Sequence, residues 1–143
     1  MELNHTELAW AAGLFDGEGY IGFKRYGKPT TRHPYGHRFL EMTVSQAGDP
    51  YVLKRFANAV HQLKVYGPYQ RQLSKKVGTQ RNWRPVWIWS IKGFPQVQAT
   101  AGLLWKYLSP VKRQQAKSAL TAWLTDTRYH RFGVRTPYRL TLR

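Results

Sequence analysis

The stretch that decides the fold is Ala11-Ala12-Gly13-Leu14-Phe15-Asp16-Gly17-Glu18-Gly19-Tyr20-Ile21-Gly22. It begins with the apolar spacing of a helix, yet it contains four glycines. It also holds two of the seven acids in a 143-residue chain with 23 Lys plus Arg. Glycine inside a helix costs about 1 kcal/mol relative to alanine. A carboxylate near a helix C-terminus meets the negative end of the dipole. Both choices need a physical reason.

On a helical wheel at about 100° per residue, Ala9, Gly13 and Gly17 follow one another four apart, flanked by Ala12 and Asp16. They form a seam of small residues that admits a second backbone closely. Leu8, Ala11 and Phe15 point away from the seam, toward a core. A C-cap role accounts for Gly17 or Gly19, but not for Gly13. The two late acids call for a cation, and a divalent metal is a candidate.

Around this helix, expected over Thr6–Asp16 with Asn4 or Thr6 as N-cap, the pattern continues as strands at Tyr20–Tyr26 and Tyr35–Gln46. Asp49-Pro50 opens a helix to about Leu63. Strands follow at Val65–Leu73 and Trp83–Lys92, then helices at Pro95–Leu108 and Pro110–Leu124. The order predicts an α+β domain over residues 1–125 with a four-stranded sheet, mixed or antiparallel. Residues 126–143 form a basic tail with five arginines. In the second strand Leu40, Met42 and Val44 share one face, and Phe39, Glu41, Thr43 and Ser45 the other. The apolar faces should pack on the helices, leaving a polar face free.

The net charge is +16, and no acid occurs between Pro50 and Leu124. Such an excess points to a polyanionic partner, nucleic acid first, with binding that weakens steeply in salt. The absence of cysteine excludes disulfides and thiolate metal sites and fits a reducing, intracellular setting, bacterial cytoplasm or organelle. No apolar run approaches the ~20 residues of a membrane span. The N-terminus lacks the pattern of a secretory signal.

Three other motifs fail on chemistry. Gly22–Lys28 (GFKRYGK) resembles part of a phosphate-binding loop, but Pro29 replaces the hydroxyl residue and no helix follows. Asp16-Gly17-Glu18-Gly19 begins like a calcium loop without its alternating ligands or closing Glu. His33 and His37 have metal-ligand spacing but no companion ligands.

Ala11–Gly19 (AAGLFDGEG) resembles the signature of the LAGLIDADG homing endonucleases. The element order is similar to that family's αββαββα core, whose sheet is antiparallel and saddle-like. Thr43–Gln46 (TVSQ) and Val111–Ala116 (VKRQQA) resemble further active-site segments of the family. The resemblance covers about Glu7–Leu124.

The resemblance implies a homodimeric, intron-encoded endonuclease, since one signature stands in this chain and the family packs two signature helices together. Ala9, Ala12, Gly13, Asp16 and Gly17 would then lie at the subunit contact. It implies a metal-dependent double-strand break at a long palindromic or nearly palindromic DNA site. Glu18 takes the position of the metal-binding acid, with the Gly17 carbonyl as a further metal contact and Mg²⁺ as cofactor, Mn²⁺ substituting. Asp16 takes the first acidic position, with a structural role. Lys112 and Gln46 match the family's catalytic basic and solvent-positioning residues, while the second basic residue that the family often has soon after the Gln46 position has no counterpart before Lys54, which leaves its identity open. Double-stranded DNA would meet Lys24, Tyr26, His37, Thr43, Ser45, Gln70, Arg71 and Gln72 on the strands. Arg32, Lys75, Lys76, Arg81 and Arg84 would meet it from the loops. Three alternatives remain open: an intron RNA maturase, a non-cleaving DNA-binding regulator with this fold, and an unrelated basic structural protein.

Overall fold

The computed structural model describes residues 2–32, 36–69 and 84–126, with backbone only at 25, 26 and 37. The order is α1 (His5–Glu18), β1 (Gly19–Tyr26), β2 (His37–Ala47), α2 (Tyr51–Ala59), β3 (Val65–Tyr69), β4 (Val86–Lys92), α3 (Phe94–Leu104) and α4 (Pro110–Thr125). A short 3-10 turn at Trp105–Tyr107 joins α3 to α4. Every strand pairing is antiparallel, in the spatial order β1-β2-β4-β3. The α+β class and the expected sheet are therefore present. Gln70, Arg71, Gln72, Lys75, Lys76, Arg81 and the tail from residue 127 lie outside the described residues.

α1 starts where Asn4 accepts the Glu7 backbone N–H at 3.0 Å, satisfying one of the first-turn donors that have no helical partner. It continues through Gly13 and Gly17 because Leu8, Ala11, Ala12 and Phe15 are buried along its inner face. Its last residue leads directly into β1. Gly19 has extended dihedrals there, and a Cβ at this position would overlap the Phe15 ring.

Alternation decides the sheet. Ile21 of β1, Leu40, Met42 and Val44 of β2, and Trp89 and Ile91 of β4 all face the helices and are buried. Trp89 sits edge-on to Phe56 of α2 at 4.7 Å between ring centres, and Phe56 stacks with Phe15 at 6.3 Å. Three elements thus meet in one aromatic cluster beneath α1. Phe94 and Trp123 stack at 4.5 Å between α3 and α4. Arg38 and Asp126 form a 2.9 Å ion pair between β2 and the end of α4.

Two helices end earlier than their sequence suggests, and one strand begins later. α2 stops at Ala59, His61 takes a left-handed φ of 56°, and the Trp89 indole donates to the Gln62 carbonyl at 2.8 Å. α3 tightens into a 3-10 turn where Arg113 takes the carbonyls of Trp105 and Lys106. β4 begins at Val86 rather than Trp83, the latter lying outside the described residues.

Candidate active site and nucleic-acid interface

Of the chain's acids, Glu7 pairs with Arg55, Glu41 with Lys24 and Asp126 with Arg38. Asp49 accepts the Tyr51 backbone N–H at the start of α2. Asp16 accepts the backbone N–H of Ser109, with both oxygens at 3.1 Å. Ser109 is the N-cap of α4, and its hydroxyl accepts the Lys112 N–H at 3.2 Å. Asp16 therefore ties the end of α1 to the beginning of α4.

That tie sets the position of Lys112. Its Nζ donates to the Gly19 carbonyl at 2.6 Å and lies 5.4 Å from the centre of the Phe15 ring. An ammonium here meets a helix C-terminus, where positive charge is favoured. Glu18, one residue before Gly19, is exposed and has no hydrogen-bond or ionic partner among the described residues. The end of α1 thus holds an anchored lysine beside a free carboxylate.

Gln46 reaches the same level from the sheet. β1 begins with Gly19 opposite Val44, and Gln46 lies two residues beyond Val44 on the same face of β2. The β1–β2 register and the Lys112–Gly19 hydrogen bond bring Glu18, Lys112 and Gln46 to one end of the sheet. Among the described residues no cluster of three His, Asp or Glu side chains is present. Among the described residues the oxygen donors at this end include the Glu18 carboxylate, the Gln46 amide and backbone carbonyls. Such donors suit a hard cation of the Mg²⁺ type, which takes one or two carboxylates and completes its shell with water and phosphate oxygens.

The small-residue seam divides in two. Ala9, Gly13 and Gly17 are exposed, and a Cβ added at Gly13 or Gly17 meets nothing within 4 Å. Ala12, expected at a subunit contact, is instead 0% exposed. Its place on the wheel is close enough to Leu8 and Phe15 to be drawn into the core. Asp16, expected there too, is half-buried and turned to Ser109 of its own chain.

The sheet face away from the helices is open. Tyr20 and Lys24 of β1, Ser45 of β2, Tyr66 and Tyr69 of β3 and Lys92 of β4 are exposed on it, and Thr43 is half-buried. Over β3 and β4 it holds a groove of about 600 Å³ lined by Glu41, Tyr66, Tyr69, Ser90 and Lys92 among others. Tyr26 and His37 face one another in register at the far end of the β1–β2 pair. Arg32 and Arg84 are exposed outside the strands. Glu41 and Tyr20 were absent from the expected interface, although alternation alone puts Glu41 on the same face as Thr43.

Known structures share this fold. The homing endonuclease I-CvuI, in complex with the I-CreI target in the presence of Mg with the DNA not cleaved, matches with a TM-score of 0.59 and 20% identity over 82% of this chain and 68% of its own. I-CeuI, a group I intron-encoded homing endonuclease complexed with DNA, matches with a TM-score of 0.57 and 12% identity, over 86% of this chain and 57% of its own. I-SmaMI, a LAGLIDADG homing endonuclease bound to cleaved DNA, matches with a TM-score of 0.53 and 16% identity, over 93% and 42%. The chain has the homing-endonuclease fold. No protein-family model and no curated protein sequence matches it. Among the described residues, the end of α1, where exposed Glu18 adjoins the Gly19 carbonyl that Lys112 holds, and the open face of the sheet both offer polar groups to a partner.

Proposed function

We propose that the chain is a homodimeric, divalent-metal-dependent DNA endonuclease that makes a double-strand break at a long palindromic or nearly palindromic site. One observation carries this reading: Glu18 has no partner among the described residues and stands at a helix C-terminus, next in the chain to the Gly19 carbonyl that holds Lys112 in place. A protein that only binds a polyanion gains nothing from an exposed carboxylate there. Electrostatics works against it on both counts, the helix dipole and the phosphates.

The exposed Ala9, Gly13 and Gly17 supply the subunit contact, self-complementary about a twofold axis. Two copies of α1 packed there bring two Glu18 carboxylates together and align two open sheet faces along one duplex. Twofold symmetry then gives half-sites related by a palindrome, over about two helical turns.

In the active site Glu18, assisted by the Gly17 carbonyl, holds Mg²⁺, with Mn²⁺ able to replace it. The bound ion supplies Lewis-acid stabilisation of the phosphate and lowers the pKa of water. Lys112 keeps one donor on the Gly19 carbonyl and turns the others to the charge that develops on the phosphate. Gln46 orients the attacking water through its amide. The open sheet face and the exposed arginines hold the duplex in register, mostly through phosphates. The basic tail from residue 126 adds charge for the same partner.

Glu18→Gln tests the assignment, because it removes the charge and keeps the shape. DNA affinity is retained and cleavage is lost. Cleavage at the wild-type rate would remove Glu18 from the active site, and a functional but non-cleaving wild type would make the chain a DNA-binding regulator.

A further inference from the structure

Glu41 is the one acid on the open sheet face among the described residues. In a chain of charge +16, a carboxylate on the surface that meets phosphates opposes binding unless it contacts something else. Its environment is built. Glu41 Oε2 lies 3.1 Å from the Lys24 Nζ, with the carboxylate side chain 13% exposed and the lysine 47%. The same Nζ lies 4.4 Å above the Tyr20 ring. Tyr20 in turn lies across Gly22, where a Cβ would overlap its hydroxyl. The glycine in β1 therefore lets Tyr20 lie flat along the strand. Tyr20 and Glu41 then hold the lysine head from two sides, while Glu41 forms part of the groove wall.

We propose that Lys24 and Glu41 are a preassembled donor–acceptor pair that reads one G·C base pair in the major groove. The inference rests on the DNA-binding reading above. Guanine presents two neighbouring acceptors, N7 and O6, and its cytosine presents the N4 donor beside them. Lysine has three donors and spends one on Glu41, and an ionised carboxylate has about four lone-pair sites. The remaining groups match guanine and then cytosine in order. On an A·T pair the lysine keeps N7 but meets the adenine N6 donor in place of O6, and the carboxylate meets the thymine O4 acceptor, so the O6 and N4 contacts that distinguish G·C are lost. Lys24 is six residues from Glu18. At about 3.3 Å per residue this is about 20 Å, which places the pair within about six base pairs of the cut at ~3.4 Å each.

The test uses the full chain and a randomised duplex library, with enriched sequences profiled for wild type and Glu41→Gln, then single-pair variants of the best duplex measured in competition. Wild type requires G·C at one position of each half-site. Glu41→Gln lowers that preference roughly tenfold and shifts it toward A·T, since glutamine reads adenine, with all other positions unchanged. A uniform rise in affinity across all sequences would assign Glu41 to charge balance and overturn the proposal. An unchanged profile with sequence-specific cleavage intact would overturn it alone, whereas failure of wild type to enrich any duplex overturns the DNA-binding reading with it. Circular dichroism checks the fold. Should Glu41→Gln misfold, Lys24→Met must lose the same preference at the same position, and its failure to do so is equally fatal.

Discussion

Replacing Gly13 with alanine separates a free helix surface from one that serves a second subunit. A Cβ at Gly13 meets nothing within 4 Å among the described residues of its own chain. The gain in helix propensity is therefore unopposed there, about 0.8–1 kcal/mol, or roughly 3–5 °C in unfolding midpoint for a domain of this size. Packed against its own copy, the same methyl group separates two close backbones. Overpacking of this kind costs about 1–3 kcal/mol, which weakens the dimer roughly 5- to 150-fold. Sedimentation equilibrium gives the dimer constant, and thermal melts at dilutions that dissociate the dimer give the stability of the subunit. The expected result is a more stable subunit that dimerises less well. A variant that gains stability and dimerises as before would refute the seam as the subunit contact.

Asp16→Ala leaves the Ser109 N–H without its acceptor and should lower stability by about 1–2 kcal/mol, read from urea midpoints. Asp16→Asn keeps an acceptor and should recover much of that loss. The Glu7 carboxyl is held below the usual carboxylate range chiefly by its hydrogen bond from Arg55, against a smaller opposing effect of desolvation. A depressed carboxylate stabilises the fold above its unfolded pKa, and that contribution is lost as pH falls through the lower folded value. The pair is about one-third exposed, so the effect is small. Glu7→Gln should lower the urea midpoint slightly at pH 7 and match wild type in strong acid. Lys112→Met should reduce cleavage by about 10²–10³-fold, while gel-shift affinity for the same duplex changes only a few-fold.

Much of the fold was legible because the strands alternate cleanly. Leu40, Met42 and Val44 named their face without help, and Asn4, Asp49-Pro50 and Ser109-Pro110 mark helix starts by local chemistry. Helix ends were harder, since the causes lie far off in the chain. No glycine or proline marks the stop of α2 after Ala59; the indole of Trp89 takes the following segment. The turn after Leu104 depends on the guanidinium of Arg113. α1 outran its expected end because buried Phe15 outweighs the helix-weakening glycines around it.

The candidate site divides along the same line. Glu18 and Lys112 stand out by resemblance, one in the signature and one in the VKRQQA segment, and the structure brings Lys112 to the Gly19 carbonyl, next in the chain to Glu18. The inward turn of Ala12 and Asp16 was not legible, because a wheel places residues by angle alone. It does not show that the start of α4 approaches Asp16. Glu41 was visible by alternation, but its partner Lys24 lies across the β1–β2 register, held over Tyr20 of its own strand. The same chemistry explains the glycines of the opening stretch. Gly13 and Gly17 leave an outer surface clear, and Gly19 and Gly22 make room for aromatic rings.

The most direct measurement is a cleavage selection: wild type and Glu18→Gln are each incubated with a randomised duplex library in Mg²⁺, and the cut ends are sequenced. The account predicts palindromic cut sites from wild type and none from the variant, with both proteins enriching the same sequences by binding. Cut ends that persist in Glu18→Gln, or a wild type that binds sequences and leaves every one intact, would contradict it.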